Sequence, residues 1–191
     1  MKNKFNIIYL YDYLISFFLI IIIWPLFLII LLVCFIDLGS PIFIQKRVGK
    51  NKKVFYLYKF RTMKVNSPIM DSHKIDPSYV TKIGKFIRKF KLDELPQLIN
   101  ILKGEMSLVG PRPNLLTMKE VIFEREKYNL YRFKPGVTGY SQLKKIDMSD
   151  PIKLAKYDSK MMSELNQLSY FKYLFATIFG KGKGDRVIYK K

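Results

Sequence analysis

The amino-acid sequence predicts an α+β protein, mostly helical, in which an apolar N-terminal membrane segment precedes a small basic domain with amphipathic helices and a short β element. Three observations carry this. Leu14 to Ile36 is a run of 23 residues without a formal charge. β-branched and aromatic residues dominate Val54–Phe60, as strands prefer. From Thr81 onward, apolar residues recur at helical spacing. The expected divisions are 1–38 for the membrane segment, 39–180 for the domain and 181–191 for a basic tail.

The formal charge is +19, from 34 Lys+Arg against 15 Asp+Glu. That balance selects a polyanionic partner: nucleic acid, an anionic membrane surface or a phosphorylated substrate. With 49% hydrophobic and 15% aromatic residues, the chain is too apolar for a disordered basic tail. High charge and high apolarity together point to a protein seated at a membrane. Nucleic-acid binding rests on charge alone, without any recognised module. Cys34 is the only cysteine and His73 the only histidine. An intrachain disulfide is therefore impossible, and zinc sites and His-dependent triads have little to work with.

As a helix, the uncharged run would extend roughly 34 Å at about 1.5 Å per residue, enough for a hydrocarbon core of about 30 Å. It is too long for a signal-peptide core, and no small-x-small cleavage site follows. Pro25, preceded by Trp24, lies near its middle and lacks the N–H that the carbonyl of Ile21 would use. Two readings stay open: a kinked spanning helix, or a re-entrant hairpin that enters and leaves by one face. Lys2 and Lys4 precede the run and Lys46, Arg47, Lys50, Lys52 and Lys53 follow it, which suits a cytoplasmic location for both ends.

After the Gly39–Pro41 turn, the strand Val54–Phe60 delivers Lys59 and Arg61 to its end. Residues 64–80, including His73, read as an exposed loop. "TKIGKFIRKF" places Ile83, Phe86, Ile87 and Phe90 on one face and Lys82, Lys85, Arg88 and Lys89 on the others. Such a helix either lies on an anionic membrane or packs on the core with a solvated basic face. Leu92, Leu95, Leu98, Ile99 and Leu102 continue the helical spacing, so Asp93 and Glu94 lie in or at the start of a helix that Gly104 ends. "SLVGPRP" is a constrained loop. Further helices are expected around Leu115–Tyr128 and Leu154–Phe179, the second half of the latter an interfacial candidate through Tyr170, Phe171, Tyr173, Leu174, Phe175 and Phe179.

The acidic pair sits among cations. Adjacent helical residues point about 100° apart, so two carboxylates address different parts of one ligand. Flanked by Lys and Arg, both are expected to be ionised. One can attack phosphorus while the other holds Mg²⁺, and Arg61, Arg88 and Arg112 offer planar contacts to phosphate oxygens. The competing structural reading makes Asp93 a helix cap, Glu94 a charge at the helix's positive end and Arg112 a salt-bridge anchor.

"LDELPQLINILKGEMSLVGPRP" closely resembles the signature of the bacterial sugar transferase family, the small monotopic phosphoglycosyl transferases. The similarity continues in order through "QKRVGKN", "KFRTM", "KPGVTGYSQ" and "YDSK…FATIF", nearly the whole chain. It implies transfer of a phosphosugar from a nucleotide sugar, usually a UDP-sugar, to a polyprenyl phosphate such as undecaprenyl phosphate, with release of UMP. It also implies Asp93 as nucleophile and Glu94 as the Mg²⁺ residue; Lys59, Arg61, Arg88 and Arg112 remain the candidate phosphate contacts. Gln142, Lys144 and Lys145 mark the nucleotide region, and a re-entrant membrane helix broken at Trp24–Pro25 resolves the hairpin question.

The implied setting is the cytoplasmic face of the inner membrane, with anionic lipids beneath and downstream glycosyltransferases as further partners. The implied role is to start a surface glycan or glycoprotein. A non-catalytic basic membrane scaffold is the alternative. This chain departs from the family pattern at Trp24 and Lys91, where Ser is common. It departs also at Lys144–Asp147, where the family tends to read Asn-Gly-Arg-Asn, and at Tyr170, a usual Asp.

Overall fold

The computed structural model describes residues 2–68 and 75–179. His73 and the expected basic tail, 181–191, lie outside the described residues. The chain begins with α1, Lys2–Leu38, which runs through Pro25 without interruption. The sequence reading expects two arms meeting at Trp24–Pro25; the structure shows one helix, with both residues exposed. A proline forfeits a single backbone hydrogen bond, and a long helix commonly absorbs that loss by kinking rather than ending.

One stripe of α1 faces the domain. Ile8, Asp12, Ser16, Ile30 and Cys34 are buried, and Phe5, Ile15, Ile20, Ile23, Phe27 and Leu31 pack beside them. Steps of three and four residues keep this stripe on one side of the helix. The N-terminal half joins the main core with Met106, Leu108 and Tyr170, and the C-terminal half joins a second cluster with Phe60 and Ile87. The remaining faces expose Leu10, Leu14, Phe18, Ile22, Trp24, Ile29, Leu32 and Ile36. So large an apolar surface fits hydrocarbon rather than water.

Strands β1, Ile42–Val48, and β2, Val54–Phe60, form an antiparallel hairpin, with Ile42 opposite Phe60 and Val48 opposite Val54. Side chains alternate with a period of two, so Phe55, Leu57 and Lys59 share the buried face of β2. Phe43, Gln45 and Arg47 stand opposite them on the same face. Next come α2, Lys82–Lys89, and α3, Gln97–Leu102. A short parallel pair follows, β3, Ser107–Val109, with β4, Gly136–Thr138. Between them lies α4, Lys119–Lys127, and after them α5, Tyr140–Leu143, α6, Pro151–Glu164, and α7, Gln167–Ile178. Among the described residues, two small sheets and seven α-helices make the fold α+β.

Two expectations need correction. The helix expected over Leu154–Phe179 is two helices, because Asn166 starts a new one: its side chain accepts from Ser169 N while the Ser169 hydroxyl accepts from Asn166 N. This reciprocal cap outweighs the continuous apolar pattern. On α2 and its C-cap Phe90 the four apolar residues do not share one environment. Ile87 is buried, whereas Ile83, Phe86 and Phe90 are exposed, with the Phe86 and Phe90 ring centroids 4.9 Å apart. On α7, Phe175, Ile178 and Phe179 are exposed but Tyr170 is fully buried.

The close seat of α2 on the segment that follows β2 depends on Gly84. A Cβ there would lie 2.1 Å from the carbonyl oxygen of Thr62, so backbone must move to admit any side chain. Gly84→Ala is expected to cost more than about 2 kcal/mol in denaturant unfolding of the detergent-solubilised protein; an unchanged midpoint would show that the contact does not constrain the fold.

Candidate active site

The chain leaves α2 through Lys91, a non-glycine residue in the left-handed region (φ 58°), and enters a single 3₁₀ turn over Leu92–Glu94 before α3. This turn, rather than a regular helix, carries the acidic pair. Both carboxylates are buried, Asp93 at 5% and Glu94 at 8% exposure. Burial of two adjacent charges is tolerated only with partners, and the hairpin supplies one of them. Lys59, on the inward phase of β2, places Nζ 3.1 Å from Glu94 Oε1 and 3.9 Å from Asp93 Oδ2. Arg112, between two prolines beyond β3, donates to the same Glu94 Oε1 at 3.0 Å.

The two acids then part company. Asp93 opens onto a cleft built on the inward face of the hairpin, where Arg47, Lys59, Arg61 and Arg88 supply cations and Gln45 and Thr62 supply neutral polar groups. Among the described residues Asp93 is the only carboxylate lining this cleft. Glu94 turns toward Arg112.

The cations are not equivalent. Arg61 donates through Nε to Ser40 O at 2.9 Å and through Nη2 to Ile42 O at 3.2 Å, and its guanidinium lies over the Phe43 ring. Part of its hydrogen-bonding capacity therefore fixes the turn that leaves α1. Arg88 reaches Thr62 Oγ1 at 3.4 Å, a long contact that keeps it at the cleft wall. Lys91 is half-buried beside the pair; burial pushes its ammonium pKa below the usual lysine value, against the pull of Glu94 and with the push of Arg112. The expected nucleotide region is not brought to the cleft. Gln142 donates to Val137 O at 2.7 Å, Lys144 lies over the Tyr140 ring and Lys145 is exposed. Gln45, Arg47 and Thr62 were not singled out for this role by the sequence reading. The signal for the first two was the alternation of Phe43, Gln45 and Arg47 opposite a strand whose Lys59 was already a candidate.

For a metal, the donor set is two hard carboxylates beside cations. Among the described residues no three His, Cys, Asp or Glu side chains gather into a cage. Such a pair suits Mg²⁺, which keeps most of its ligands as water and substrate phosphate and takes one or two carboxylates from the protein.

The sequence matches the family described as bacterial sugar transferase over residues 3–183. The chain belongs to this family. Galactosyl transferase CpsE of Streptococcus agalactiae serotype III (strain NEM316) is 39% identical over 162 residues, covering 74% of this chain and 34% of CpsE. The UDP-glucose:undecaprenyl-phosphate glucose-1-phosphate transferase of Escherichia coli (strain K12) is 36% identical over 160 residues, covering 79% of this chain and 34% of that protein. Exopolysaccharide production protein ExoY of Sinorhizobium fredii (strain NBRC 101917 / NGR234) is 35% identical over 187 residues, with 88% and 82% covered. Several matched relatives are longer, and the chain spans between about a quarter and about half of their length.

In this member of the family, Lys91 bears two costs of the same sign: left-handed backbone and a half-buried charge. Its lowered pKa means that the unfolded chain binds the proton more tightly, so this part of the cost is present at neutral pH and fades as pH rises through the folded pKa toward the unfolded value. Lys91→Gly is expected to stabilise the fold at pH 7 by about 1 kcal/mol, the scale of a relieved left-handed residue. The gain should be smaller at pH 10, in paired thermal melts. A destabilised variant at pH 7 would mean that the contacts of Lys91 outweigh both costs.

Proposed function

We propose that the chain transfers a sugar 1-phosphate from a UDP-sugar to a polyprenyl phosphate such as undecaprenyl phosphate, at the cytoplasmic face of the inner membrane, as the first step of a surface glycan or glycoprotein. The observation that carries this reading is the divided acidic pair: Asp93 faces a cleft walled by Arg47, Lys59, Arg61 and Arg88, while Glu94 is turned to Arg112. The names of relatives, which include an undecaprenyl-phosphate glucose-1-phosphate transferase, favour the same chemistry.

In the proposed mechanism, a carboxylate oxygen of Asp93 attacks the phosphorus that bears the sugar. The phosphoanhydride P–O bond breaks, and UMP leaves with the electron pair. A phosphate oxygen of the polyprenyl phosphate then attacks the same phosphorus, and the bond to Asp93 breaks, restoring the carboxylate. The order is ping-pong. Lys59 and the arginines offset phosphate charge through charge-assisted hydrogen bonds. Mg²⁺ held through Glu94, with Asp93 adjacent, would supply further charge neutralisation on the phosphates.

Seating at the membrane follows from α1. Contacts with the domain recur along its length from Phe5 to Asp37, so no stretch of about 20 residues, the length a spanning helix needs, leaves the domain. That arrangement favours both ends of α1 on one face of the bilayer, the monotopic, re-entrant reading. The exposed Ile83, Phe86 and Phe90 beside Lys82, Lys85 and Lys89 on α2 suit an interfacial position over anionic lipids.

Two experiments test the proposal. Incubation with labelled UDP-sugars and Mg²⁺, without lipid, is expected to add one phosphosugar at Asp93 by mass spectrometry. Asp93→Asn should remove the adduct and lower turnover by about a thousandfold or more, and Glu94→Gln should lower turnover and shift its Mg²⁺ dependence. Normal turnover by Asp93→Asn would end the nucleophile assignment, and absence of adduct and UMP across a broad donor panel would favour the scaffold. For topology, Asn6→Cys and Lys46→Cys in a Cys34→Ser background should react with an impermeant thiol reagent from the same side. Labelling from opposite sides would establish a spanning helix.

A further inference from the structure

The loop that carries Arg112 is held by its carbonyls. Pro111 O accepts from Gly136 N at 2.9 Å, Arg112 O from the Arg125 guanidinium at 2.7 Å, Pro113 O from the Arg47 guanidinium at 3.0 Å and Asn114 O from Val48 N at 3.1 Å. Pro111 and Pro113 have no N–H, so these carbonyls are the loop's chief main-chain handles, and β4, α4 and β1 take them between them. Of the two arginine donors, Arg125 is the more deeply set, at 2% exposure. Its Nη1 serves Arg112 O and also Asn114 Oδ1 at 3.1 Å, while its Nη2 meets Asp158 Oδ2 at 2.7 Å. Asp158, at 1% exposure, accepts from Ser141 Oγ with its other oxygen at 2.6 Å. A chain of contacts therefore runs from α5 and α6 through Arg125 on α4 to the backbone of Arg112, whose side chain ends on Glu94 at 3.0 Å.

We propose that the buried Arg125–Asp158 pair is a positioning device for Arg112. It fixes the Arg112 carbonyl, and thereby the direction of the Arg112 guanidinium toward Glu94, without either residue lining the cleft. The chemistry explains the residue types. One planar guanidinium offers donors in fixed directions to three acceptors at once. Asp158 neutralises it, so that a buried cation near Arg112 carries no net repulsion against the arginine it positions. Ser141 in turn fixes the rotamer of Asp158. The inference rests on the phosphate-handling reading of Asp93 and Glu94. It differs from simple packing of α4 on α6 in its coupling: a merely structural pair would act on activity independently of Arg112, whereas a positioning pair has no further effect once Arg112 is gone.

The test uses the full chain in detergent or nanodiscs with undecaprenyl phosphate and a UDP-sugar panel, and four variants: Asp158→Asn, the milder Ser141→Ala, Arg112→Ala and the Arg112→Ala/Asp158→Asn double. Asp158→Asn is expected to lower kcat about ten- to a hundredfold, the scale of a misplaced catalytic group, with KM nearly unchanged. In the Arg112→Ala background the same change should cost less than about twofold; additive losses overturn the positioning role. Deuterium exchange supplies a readout independent of turnover. The amides that hold the loop, Gly136 N on Pro111 O and Val48 N on Asn114 O, should exchange about tenfold faster in Asp158→Asn and measurably faster in Ser141→Ala, with the other amides of β1 and those of β2 unaltered. Unchanged loop exchange overturns the inference whatever the activity. A wild-type chain that releases no UMP from any donor overturns the proposed function instead, and the exchange result still decides the positioning role.

Discussion

The structure turns on a lysine that β-strand periodicity carries into the interior. Lys59 shares the phase of Phe55 and Leu57 on β2, so the alternation that buries those two apolar side chains also buries an ammonium. An isolated charge there would cost several kcal/mol. Its compensation comes from Asp93 and Glu94, 3.9 and 3.1 Å away, on a turn between two short helices. Neither partner is tolerable alone. Two buried carboxylates without Lys59 would repel, and Glu94 needs Arg112 as well to spread its charge. The site is thus assembled from three segments that each solve the others' electrostatic problem, and a cleft walled by cations is what this leaves open.

The same strand connects that charge cluster to the apolar side of the molecule. Phe60, next to Lys59, is buried against Phe27, Ile30 and Cys34 of α1 together with Ile87 of α2. The Phe27 and Phe60 ring centroids are 4.7 Å apart. Successive residues of one strand therefore face a polar cleft and a helix whose outer faces suit hydrocarbon. Thr81 ties the two ends of this arrangement: its hydroxyl donates to Asp37 near the end of α1 at 2.5 Å and accepts from Gly84 N to cap α2. The proposed transfer between a soluble and a membrane-confined anion would need this adjacency, and here it spans one peptide unit.

Much of this was legible because it is local. The strand over Val54–Phe60 announces itself by composition and appears with those bounds. The importance of the acidic pair came from a long motif, not from periodicity, which put Asp93 and Glu94 in or at the start of a helix where the structure has a 3₁₀ turn set by Lys91. What escaped depends on distant partners. Arg47 reads as one more flanking cation until β1 pairs with β2 and the register turns it toward the cleft. β3 and β4 are three residues each and parallel, joined across a long excursion, so neither carries a period of its own. The break between α6 and α7 hangs on one Asn–Ser cap within an apolar run. Gln142, Lys144 and Lys145 were named through the family pattern at a place where this chain departs from it, and the structure keeps them from the cleft.

One departure from the family pattern has a local physical reason. At position 170, where an Asp is usual, Tyr170 is fully buried and donates its hydroxyl to Asp12 Oδ1 at 2.8 Å. The same oxygen accepts from Leu108 N in β3 at 2.9 Å. A second carboxylate at 170 would face Asp12 across this contact as a like charge, whereas a phenol donates to it. Burial and the facing carboxylate both hold the Tyr170 proton in place by raising its pKa. The acid on α1 is thereby matched by donors from α7 and from β3. This fixes more than contact: sliding α1 by one turn would leave a buried carboxylate without either donor, a penalty that apolar packing alone does not impose. β3 ends at Val109, and the chain reaches Arg112 three residues later. The strand that sets the register of the membrane-facing helix is the one that launches the loop meeting Glu94.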